Sequence, residues 1–394
     1  MSRWPKVTFT EEGMREGMQI EDASIPVEDK VRLLDALSET GLKRIVVGSF
    51  VSPKWTPQMA HIDELVQGFH PKEGVTYTAL ALNQRGRERA QAYSPPLTIE
   101  EDPWPRLSCH MCDVFVRRNA NRSQMQEMEG WPKTVARAHE LGATQAGIGA
   151  NASWGSNFLG EFPSDALMAM LERQHRLWDE VGIPVTSISL GDPMSWCMPH
   201  RVEETLERVK ERWPEVRHFK LHFHNARNMA LPSVYAALRV LGPDETVDLD
   251  GSIGGIGGCP YCGNGRATGQ APTEDLLHML EDMGIETGVD LDKLIDCVWM
   301  CEEVLGRTLY GRVSKAGPRP KTRDRLYNIN APFIETLEEA RHFKLGPEVY
   351  AEGIYPYKEP IASPYRDRVD RGLPPYGSDE GTWPWDQDWL PSEV

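Results

Sequence analysis

The sequence predicts a (β/α)8 (TIM) barrel, a closed cylinder of eight parallel strands surrounded by helices. Eight short β-rich segments alternate along the chain with longer amphipathic segments, and each connection is long enough to hold a helix. The glycine-rich segment 251–258 follows only the eighth strand. A dinucleotide-binding open sheet carries its phosphate loop after the first strand instead, so this placement favours the barrel over a doubly wound sheet.

The predicted strands are short segments of β-branched and aromatic residues. They cover residues 7–10, 44–49, 76–82, 107–114, 145–150, 186–190, 218–222 and 246–249. The first predicted helix has its apolar residues on one face, namely Val27, Val31, Leu34 and Leu37, and it ends before Gly41. A later helix is predicted from an N-cap at Ser164 to Val181, with Gly182 ending it.

The last part of the chain differs from the barrel segment in composition. From about residue 318, proline and aromatic residues increase and helical periodicity weakens. The aromatic residues of this part are Tyr355, Tyr357, Tyr365, Tyr376, Trp383, Trp385 and Trp389. We therefore predict a catalytic barrel over residues 1–317 and an aromatic, proline-rich extension over 318–394 that packs on the barrel or on a partner subunit.

Charge and composition restrict the class of partner. The 394 residues carry a formal net charge of -16, and clusters of Lys and Arg that would bind a polyanion are missing, so a nucleic-acid partner is not expected. No apolar segment approaches the ~20 residues of a membrane helix, and the first strand follows Met1 too closely for a signal peptide. A cytoplasmic protein that acts on a small molecule is the expectation.

Seven cysteines, an odd number, make a disulfide framework a poor interpretation. Two CxxC pairs, Cys109 with Cys112 and Cys259 with Cys262, leave a four-thiolate zinc site geometrically possible.

The pair His222 and His224 ends the predicted seventh strand. Residues two apart on a strand point to the same face, so both imidazoles can reach one point at the carboxyl end of the barrel, where barrel enzymes carry their chemistry. A metal site is one interpretation. The alternative is a pair of polar residues at a strand end, hydrogen-bonded to backbone or solvent.

Arg15 and Glu16 follow the first strand, which neighbours the eighth in a closed barrel. Glu16 can complete a set of two histidines and one carboxylate, and Arg15 can stabilise a developing enolate oxygen. A surface turn with an Arg-Glu ion pair is the alternative.

The glycine-rich loop after strand eight carries Cys259, which could deliver a proton to a carbanion. A flexible surface loop with inert thiols is equally compatible with the loop alone. Asp192, after strand six, is predicted to orient another group or to act as a base, or else to cap a helix. Substrate contacts are predicted for Gln19, Ser49 and Asn119, because each lies at or just past the carboxyl end of a predicted strand.

Three blocks of the sequence resemble the 3-hydroxy-3-methylglutaryl-CoA (HMG-CoA) lyases. These enzymes belong to the barrel metallolyases, which also include isopropylmalate and citramalate synthases. The similar blocks are residues 25–59, over much of that length, residues 188–192 with 222–224, and residues 257–261 with 273–276. The resemblance spans roughly residues 7 to 300, most of the chain.

The resemblance implies a divalent metal ion, Mg2+ or Mn2+ with Zn2+ or Co2+ as further options, that is chelated by the substrate's hydroxyl and carbonyl. It also implies a base that takes the hydroxyl proton and an enolate that Arg15 stabilises. His222 would be ligand and proton carrier, Cys259 the acid, and Gln270 a further metal ligand.

Four positions depart from the family pattern. Glu16 stands where the family usually has Asp, and Gln270 where it has a metal-binding Asn. Val46 replaces a glutamate of strand two that braces the arginine, and Asn225 replaces an Asp after the second histidine. Changes this close to one site suggest altered chemistry or an altered substrate.

The leading hypothesis is a metal-dependent lyase that cleaves a 3-hydroxy-3-substituted glutaryl-CoA-like thioester or a related hydroxy acid through an enolate. A condensing synthase that joins an acyl-CoA and a 2-oxo acid would use the same groups in reverse. An inactive barrel serving as a binding subunit is the third hypothesis. The aromatic extension makes a homo-oligomer the expected assembly.

Overall fold

The structure of the chain is a computed structural model that describes residues 3–99, 105–350 and 352–375. The chain divides into two compact units, of which the first ends at Gly311 and the second begins at Arg312. The predicted boundary at 317/318 and the packing of the extension in a homo-oligomer stay predictions. Four of the aromatic residues assigned to the extension lie outside the described residues, namely Tyr376, Trp383, Trp385 and Trp389.

Eight parallel strands form one sheet in the first unit, as predicted. The eight strands of this sheet are β1 (Lys6–Glu11), β2 (Arg44–Ser49), β3 (Thr76–Leu80), β4 (Cys109–His110), β5 (Ala146–Asn151), β8 (Val185–Asp192), β9 (His218–Phe223) and β10 (Thr246–Gly251). Between β5 and β8, strands β6 (Gly155–Ser156) and β7 (Gly160–Glu161) form a separate antiparallel hairpin. The order within the large sheet is β3-β2-β1-β10-β9-β8-β5-β4. Because the first strand pairs with the last, the sheet follows the strand order of a (β/α)8 barrel, and the predicted fold is confirmed.

Helices alternate with these strands. Those of the first unit are Val27–Ser38, Ile62–Gly68, Gln84–Gln91, Asp113–Ala120, Gln124–Glu129, Trp131–Glu140, Ser164–Asp179, Pro199–Arg212, Ala230–Val240, Thr273–Asp282 and Leu291–Leu305. Those described in the second unit are Val313–Ala316, Leu337–Ala340, His342–Leu345 and Pro364–Asp370. Among the described residues, no helix combines the length and apolarity that crossing a membrane requires.

Strand β9 shows how the barrel positions its functional side chains. Phe219, Leu221 and Phe223 alternate along the strand and are buried in the hydrophobic core. The residues between them point to the opposite face, because successive side chains of a strand alternate. His222 therefore lies on the face that does not join the apolar core, at the carboxyl end of its strand.

Two local predictions were wrong. The fourth strand is not residues 107–114 but only Cys109–His110, because the Cys112 sulfur accepts the Phe115 N–H at 3.3 Å and starts the helix Asp113–Ala120. The N-cap of the helix Ser164–Asp179 is Pro163, not Ser164; the Ser164 hydroxyl instead accepts a hydrogen bond from Arg201 at 3.1 Å.

Strand ends also shift in ways that affect the site. Strand β8 continues to Asp192 and strand β10 to Gly251, so that both Asp192 and Asp250 are strand residues. Strand β3 ends at Leu80, and Leu82, assigned to it from sequence, is 71% exposed.

Candidate active site

Glu16, His222 and His224 converge at the carboxyl end of the barrel. One ligand atom from each residue lies within 4.8 Å of the others. The Glu16 Oε1 lies 2.8 Å from His224 Nε2, and Glu16 Oε2 lies 3.7 Å from His222 Nε2. The predicted convergence of the two imidazoles on this carboxylate is therefore present in the structure.

A single π-helical turn, Gly13–Gly17, brings Arg15 and Glu16 to this point. The carbonyl of Glu12 accepts the backbone N–H groups of Arg15, Glu16 and Gly17 at 3.0, 2.8 and 3.1 Å. Such turns are rare and are often found at functional sites. Here the turn follows directly after β1, so the side chains of both residues stay next to the barrel mouth.

Hydrogen bonds at the far side of each ring orient the two histidines. His222 Nδ1 lies 2.9 Å from Asp250 Oδ2, and His224 Nδ1 contacts the backbone carbonyl of Thr268. A carbonyl and an ionised carboxylate only accept hydrogen bonds, so both Nδ1 atoms carry the proton. In its neutral form each ring then directs the lone pair of its Nε2 towards Glu16.

The three acceptors therefore face one another across a short distance. The two Nε2 atoms are 3.1 Å apart, too close for two lone pairs unless a proton or a cation lies between them. Burial alone would lower the pKa of His222, but the charges of Glu16 and Asp250 outweigh it and raise the pKa to about 9. Burial would raise the pKa of Glu16, but Arg15 and the two histidines hold it well below its ordinary value.

Arg15 is fixed by two carboxylates. Its Nε donates to Glu12 Oε2 at 2.8 Å, and its Nη1 lies 3.1 Å from Glu16 Oε2. Its side chain is 17% exposed. The ion pair with Glu16 places the guanidinium beside the group formed by Glu16, His222 and His224. A guanidinium held in this position can stabilise an oxyanion that forms next to it.

The glycine-rich loop packs against the turn that carries Glu16. A Cβ added at Gly257, whose φ is +106°, would lie 3.0 Å from the carbonyl oxygen of Glu16, so only glycine allows this approach. Two residues later, the Cys259 N–H donates to Thr268 Oγ1 at 2.7 Å. Since the carbonyl of Thr268 accepts from His224, one residue connects the cysteine to the histidine pair.

The hairpin β6–β7 holds the other side of this loop. Asn157, in the turn of the hairpin, donates to the carbonyl of Cys262 at 2.9 Å. Its side-chain oxygen accepts from Trp196 and Arg227, both at 3.1 Å. A hydrogen bond with Cys259, together with burial, raises the pKa of the Cys262 thiol far above its ordinary value, so this thiol stays protonated.

Asp192 is fully buried at the end of β8. Its Oδ2 accepts the N–H of Cys197 at 2.7 Å, whereas its Oδ1 has no hydrogen-bond partner within the described residues. It does not cap a helix, because the helix Pro199–Arg212 has Met198 as its N-cap. A buried carboxylate oxygen without a partner is costly, and a ligand hydroxyl would satisfy it.

Comparison with known proteins gives the family. Residues 6–300 match the family described as HMGL-like. The chain belongs to this family. It is 34% identical over 307 residues to the hydroxymethylglutaryl-CoA lyase YngG of Bacillus subtilis, covering 78% of this chain and 96% of that protein. The family and these relatives identify the chain as a lyase.

Two further relatives act on or bind related compounds. A Pseudomonas aeruginosa protein named 3-hydroxy-3-isohexenylglutaryl-CoA/hydroxymethylglutaryl-CoA lyase is 34% identical, covering 79% of this chain and 97% of its own. The structure of an HMG-CoA lyase from Acinetobacter baumannii, in complex with coenzyme A and 3-methylmalate, aligns with a TM-score of 0.64 at 28% identity, covering 82% of this chain and 98% of that one. Because the similarity covers nearly the whole length of these proteins, the barrel of this chain has the fold of the HMG-CoA lyases.

Gln270 of this HMGL-like chain lies beside the ligand set. It is 1% exposed, and its Nε2 donates to Glu16 Oε2 at 3.1 Å, while its Oε1 faces Ser252 at 3.4 Å. An amide nitrogen does not ligate a metal, so the predicted ligand role requires the oxygen to face Glu16 instead. In the orientation described, Gln270 holds the carboxylate in place.

The three residues predicted to contact substrate lie in different places. Ser49 ends β2 and is buried, and Gln19 reaches the glycine loop, with its Nε2 3.5 Å from the carbonyl of Gly258. Asn119 lies on the exposed side of the helix Asp113–Ala120, because β4 ends at His110. The reason for choosing Asn119, its position just past a strand, was wrong; its role stays a prediction.

Among the described residues, the four cysteines of the two CxxC pairs do not come together as a metal-type group. Within residues 3–99, 105–350 and 352–375, the one group of three or more His, Cys, Asp or Glu ligands is Glu16 with His222 and His224. Cys109 packs in the main barrel core, whereas Cys112, Cys259 and Cys262 share a separate cluster.

Sequence reasoning missed two carboxylates of the site, Glu12 and Asp250. Both are 6% exposed, Glu12 against Arg15 and Asp250 against His222. Strand pairing could have indicated Asp250, since Leu249 is the register partner of Leu221 and the next residues along are Asp250 and His222. The sequence gives a weaker indication of Glu12, because its only distinguishing feature is its position between strand β1 and the turn Gly13–Gly17.

Proposed function

We propose that this chain is a divalent-metal-dependent lyase that cleaves the carbon-carbon bond of a 3-hydroxy-3-substituted glutaryl-type thioester of coenzyme A. The observation that carries the proposal is the convergence of Glu16, His222 and His224 beside the fixed guanidinium of Arg15. A ligand set and an oxyanion-stabilising cation at one barrel mouth are what enolate chemistry requires.

The donor set fits a divalent cation. Two Nε2 lone pairs and a carboxylate point at each other, and Asp250 holds one ring in the ligating tautomer. When His222 is in its neutral, ligating form, the ionised carboxylates of Glu16 and Asp250 together carry more negative charge than Arg15 balances. Two imidazoles favour Mn2+, Zn2+ or Co2+, whereas Mg2+ prefers oxygen ligands.

When bound, the metal polarises the substrate's oxygen atoms and lowers the pKa of its hydroxyl. The free Oδ1 of Asp192 then accepts the hydroxyl proton. The electrons of that O–H bond form the new carbonyl, the adjacent carbon-carbon bond breaks, and its electron pair becomes the enolate of the departing acyl thioester. Arg15 stabilises the enolate oxygen, and the Cys259 thiol protonates the carbon.

Coenzyme A enters the proposal through the relatives. One solved relative contains coenzyme A, and the relatives named above act on thioesters that differ in the group at carbon 3. We therefore assign the thioester class and leave the alkyl group at carbon 3 to experiment.

The test is a substrate screen with the full chain. The chain is incubated with a series of 3-hydroxy-3-alkylglutaryl-CoA thioesters, with the corresponding free acids, and with acyl-CoA plus a 2-oxo acid, each with added Mn2+ or Mg2+. Mass spectrometry of the products should show cleavage of a thioester, and the His222→Ala variant should show none. Product only in the acyl-CoA plus 2-oxo acid arm would identify a synthase and refute the lyase proposal.

A further inference from the structure

We propose that Glu12 is the positioning residue that orients the catalytic guanidinium of Arg15, a role that the apolar Val46 of the neighbouring strand β2 cannot fill. The inference rests on the proposed lyase function and deepens it. It concerns a carboxylate outside the metal-type ligand set, so its role can be separated from metal binding.

The geometry around Arg15 defines the role. Glu12 Oε2 accepts from Nε at 2.8 Å, and Glu16 Oε2 lies 3.1 Å from Nη1. Of the described residues, only these two pair with Arg15, and the Nη2 group makes no hydrogen bond to any of them. Two of the three guanidinium nitrogens are thus held by protein, and the third is left to donate to a substrate oxygen.

Glu12 is itself held firmly. Its side chain is 8% exposed. Its N–H donates to the carbonyl of Gly251 at 2.8 Å, and its own carbonyl accepts three N–H groups of the π-helical turn. A carboxylate attached to backbone this constrained can fix the angle of its partner, whereas a carboxylate on a free loop could not.

The neighbouring strand offers no substitute. Glu11, the last residue of β1, is the register partner of Ile45, so the next residues are Glu12, just past the end of β1, and Val46, within β2. Val46 is 8% exposed and has no polar atom in its side chain. Glu16 is committed to the histidines at 2.8 Å, which leaves Glu12 as the carboxylate whose interaction is with the arginine alone.

A purely structural role would not explain this pair. Burying a carboxylate and a guanidinium costs free energy of desolvation, and well-packed apolar residues of similar volume often stabilise a fold equally well or better. Orientation of a reacting group does justify that cost, since a displacement on the order of 1 Å can slow a reaction about 100-fold.

The experiment compares Glu12→Gln, Glu12→Val and the double variant Glu12→Val/Val46→Glu with the unmodified chain. Steady-state kcat and KM are measured on the best thioester of the screen, and bound metal per chain is measured after loading with Mn2+. Glu28→Gln, which removes an exposed carboxylate of the helix Val27–Ser38, is the control and should match the unmodified chain.

We expect kcat of Glu12→Gln and Glu12→Val to fall on the order of 10- to 100-fold, with KM changed less than about threefold and with full metal content. The double variant, which returns a carboxylate from strand β2, should regain at least about tenfold of the kcat lost in Glu12→Val.

Two results would overturn the inference. Single variants with kcat within about twofold of the unmodified chain would remove the role of Glu12 altogether. A slow Glu12→Val chain that has lost its metal, or that Val46→Glu fails to improve, would show that Glu12 acts through the fold rather than through Arg15. Failure of the proposed function looks different, because the unmodified chain would then cleave no thioester.

Discussion

Asp250 accepts the Nδ1–H of His222 at 2.9 Å, although the two residues lie on neighbouring strands and are 28 positions apart in sequence. Burial would raise the pKa of Asp250, but Lys220 and His222 outweigh it and hold the pKa below its ordinary value. An ionised carboxylate at this position fixes the tautomer of His222 and makes its Nε2 a better ligand. The strength of metal binding should therefore depend on a residue that does not touch the ion.

Replacing Asp250 by Asn should weaken metal binding without destroying the site. The amide keeps the size of the side chain but removes its charge, so we expect the dissociation constant for Mn2+ to rise on the order of 10- to 100-fold. Isothermal titration calorimetry measures this value. Asp248→Asn, an exposed carboxylate two residues earlier on the same strand, is the matched control and should leave it unchanged. Equal affinities for the two variants would contradict the role of Asp250.

Metal affinity should rise with pH. In the metal-free chain the pKa of His222 is raised to about 9, because the charges of Glu16 and Asp250 outweigh the effect of burial. Below that pH a metal must displace the proton of Nε2, so the affinity falls about tenfold for each unit of decreasing pH from this group alone, and it levels off above about pH 9.

Calorimetric titrations with Mn2+ between about pH 6.5 and about pH 8.5 test this expectation. In Asp250→Asn, where one cause of the raised pKa is gone, the plateau should begin at a lower pH. A dissociation constant that does not vary with pH in the unmodified chain would show that His222 is not the ligand.

Metal binding and proton delivery should separate by mutation. His222→Ala and Glu16→Ala each remove a donor of the three-residue set and should abolish both metal binding and turnover, while Glu16→Asp keeps the carboxylate and should keep the metal. Cys259→Ala should keep full metal content while turnover falls about 100-fold or more, as expected for loss of a general acid. Metal analysis of the purified variants, alongside turnover, measures both effects. Loss of metal from Cys259→Ala would mean that the assigned roles are wrong.

The strand pattern of the barrel is readable from sequence because β-rich segments must repeat at the spacing of the crossovers. Segment 107–114 shows the limit of that method. Its apolar residues suit a strand or a helix equally well, and the choice was decided by the Cys112 sulfur, which accepts the N–H of Phe115 and starts a helix. The hairpin β6–β7 has strands of two residues each, too short to give a periodic signal.

The residues of the site also differ in how far the sequence predicts them. His222 lies at the end of β9 and His224 is the first residue past it, so the direction that the two residues share can be predicted from their spacing of two. The link from His222 to Asp250 depends on the register of two strands, and the link from His224 to the carbonyl of Thr268 depends on the path of a loop. Neither register nor loop path is encoded in a local pattern, which is why the supporting groups were missed while the convergence of Glu16, His222 and His224 was predicted.

The hairpin residue Asn157 provides the last prediction. It donates to the carbonyl of Cys262, and its oxygen accepts from Trp196 and Arg227, so it connects the cysteine loop to two other segments. Asn157→Ala removes these three hydrogen bonds and a longer fourth one, from Nδ2 to Asn264 Oδ1 at 3.5 Å, next to a loop that depends on several positive-φ glycines for its shape.

We expect kcat of Asn157→Ala to fall about tenfold, a change of about 1.4 kcal/mol in the activation free energy, with metal content unchanged. Asn157→Asp keeps the acceptor for Trp196 and Arg227 but cannot donate to Cys262 or Asn264, so its kcat reports the loss of the contacts with the cysteine loop. If Asn157→Asp is as slow as Asn157→Ala, the contacts with the cysteine loop control the reaction. If both variants turn over like the unmodified chain, the hairpin does not position Cys259, and the loop must be held by Thr268 and the glycine contacts instead.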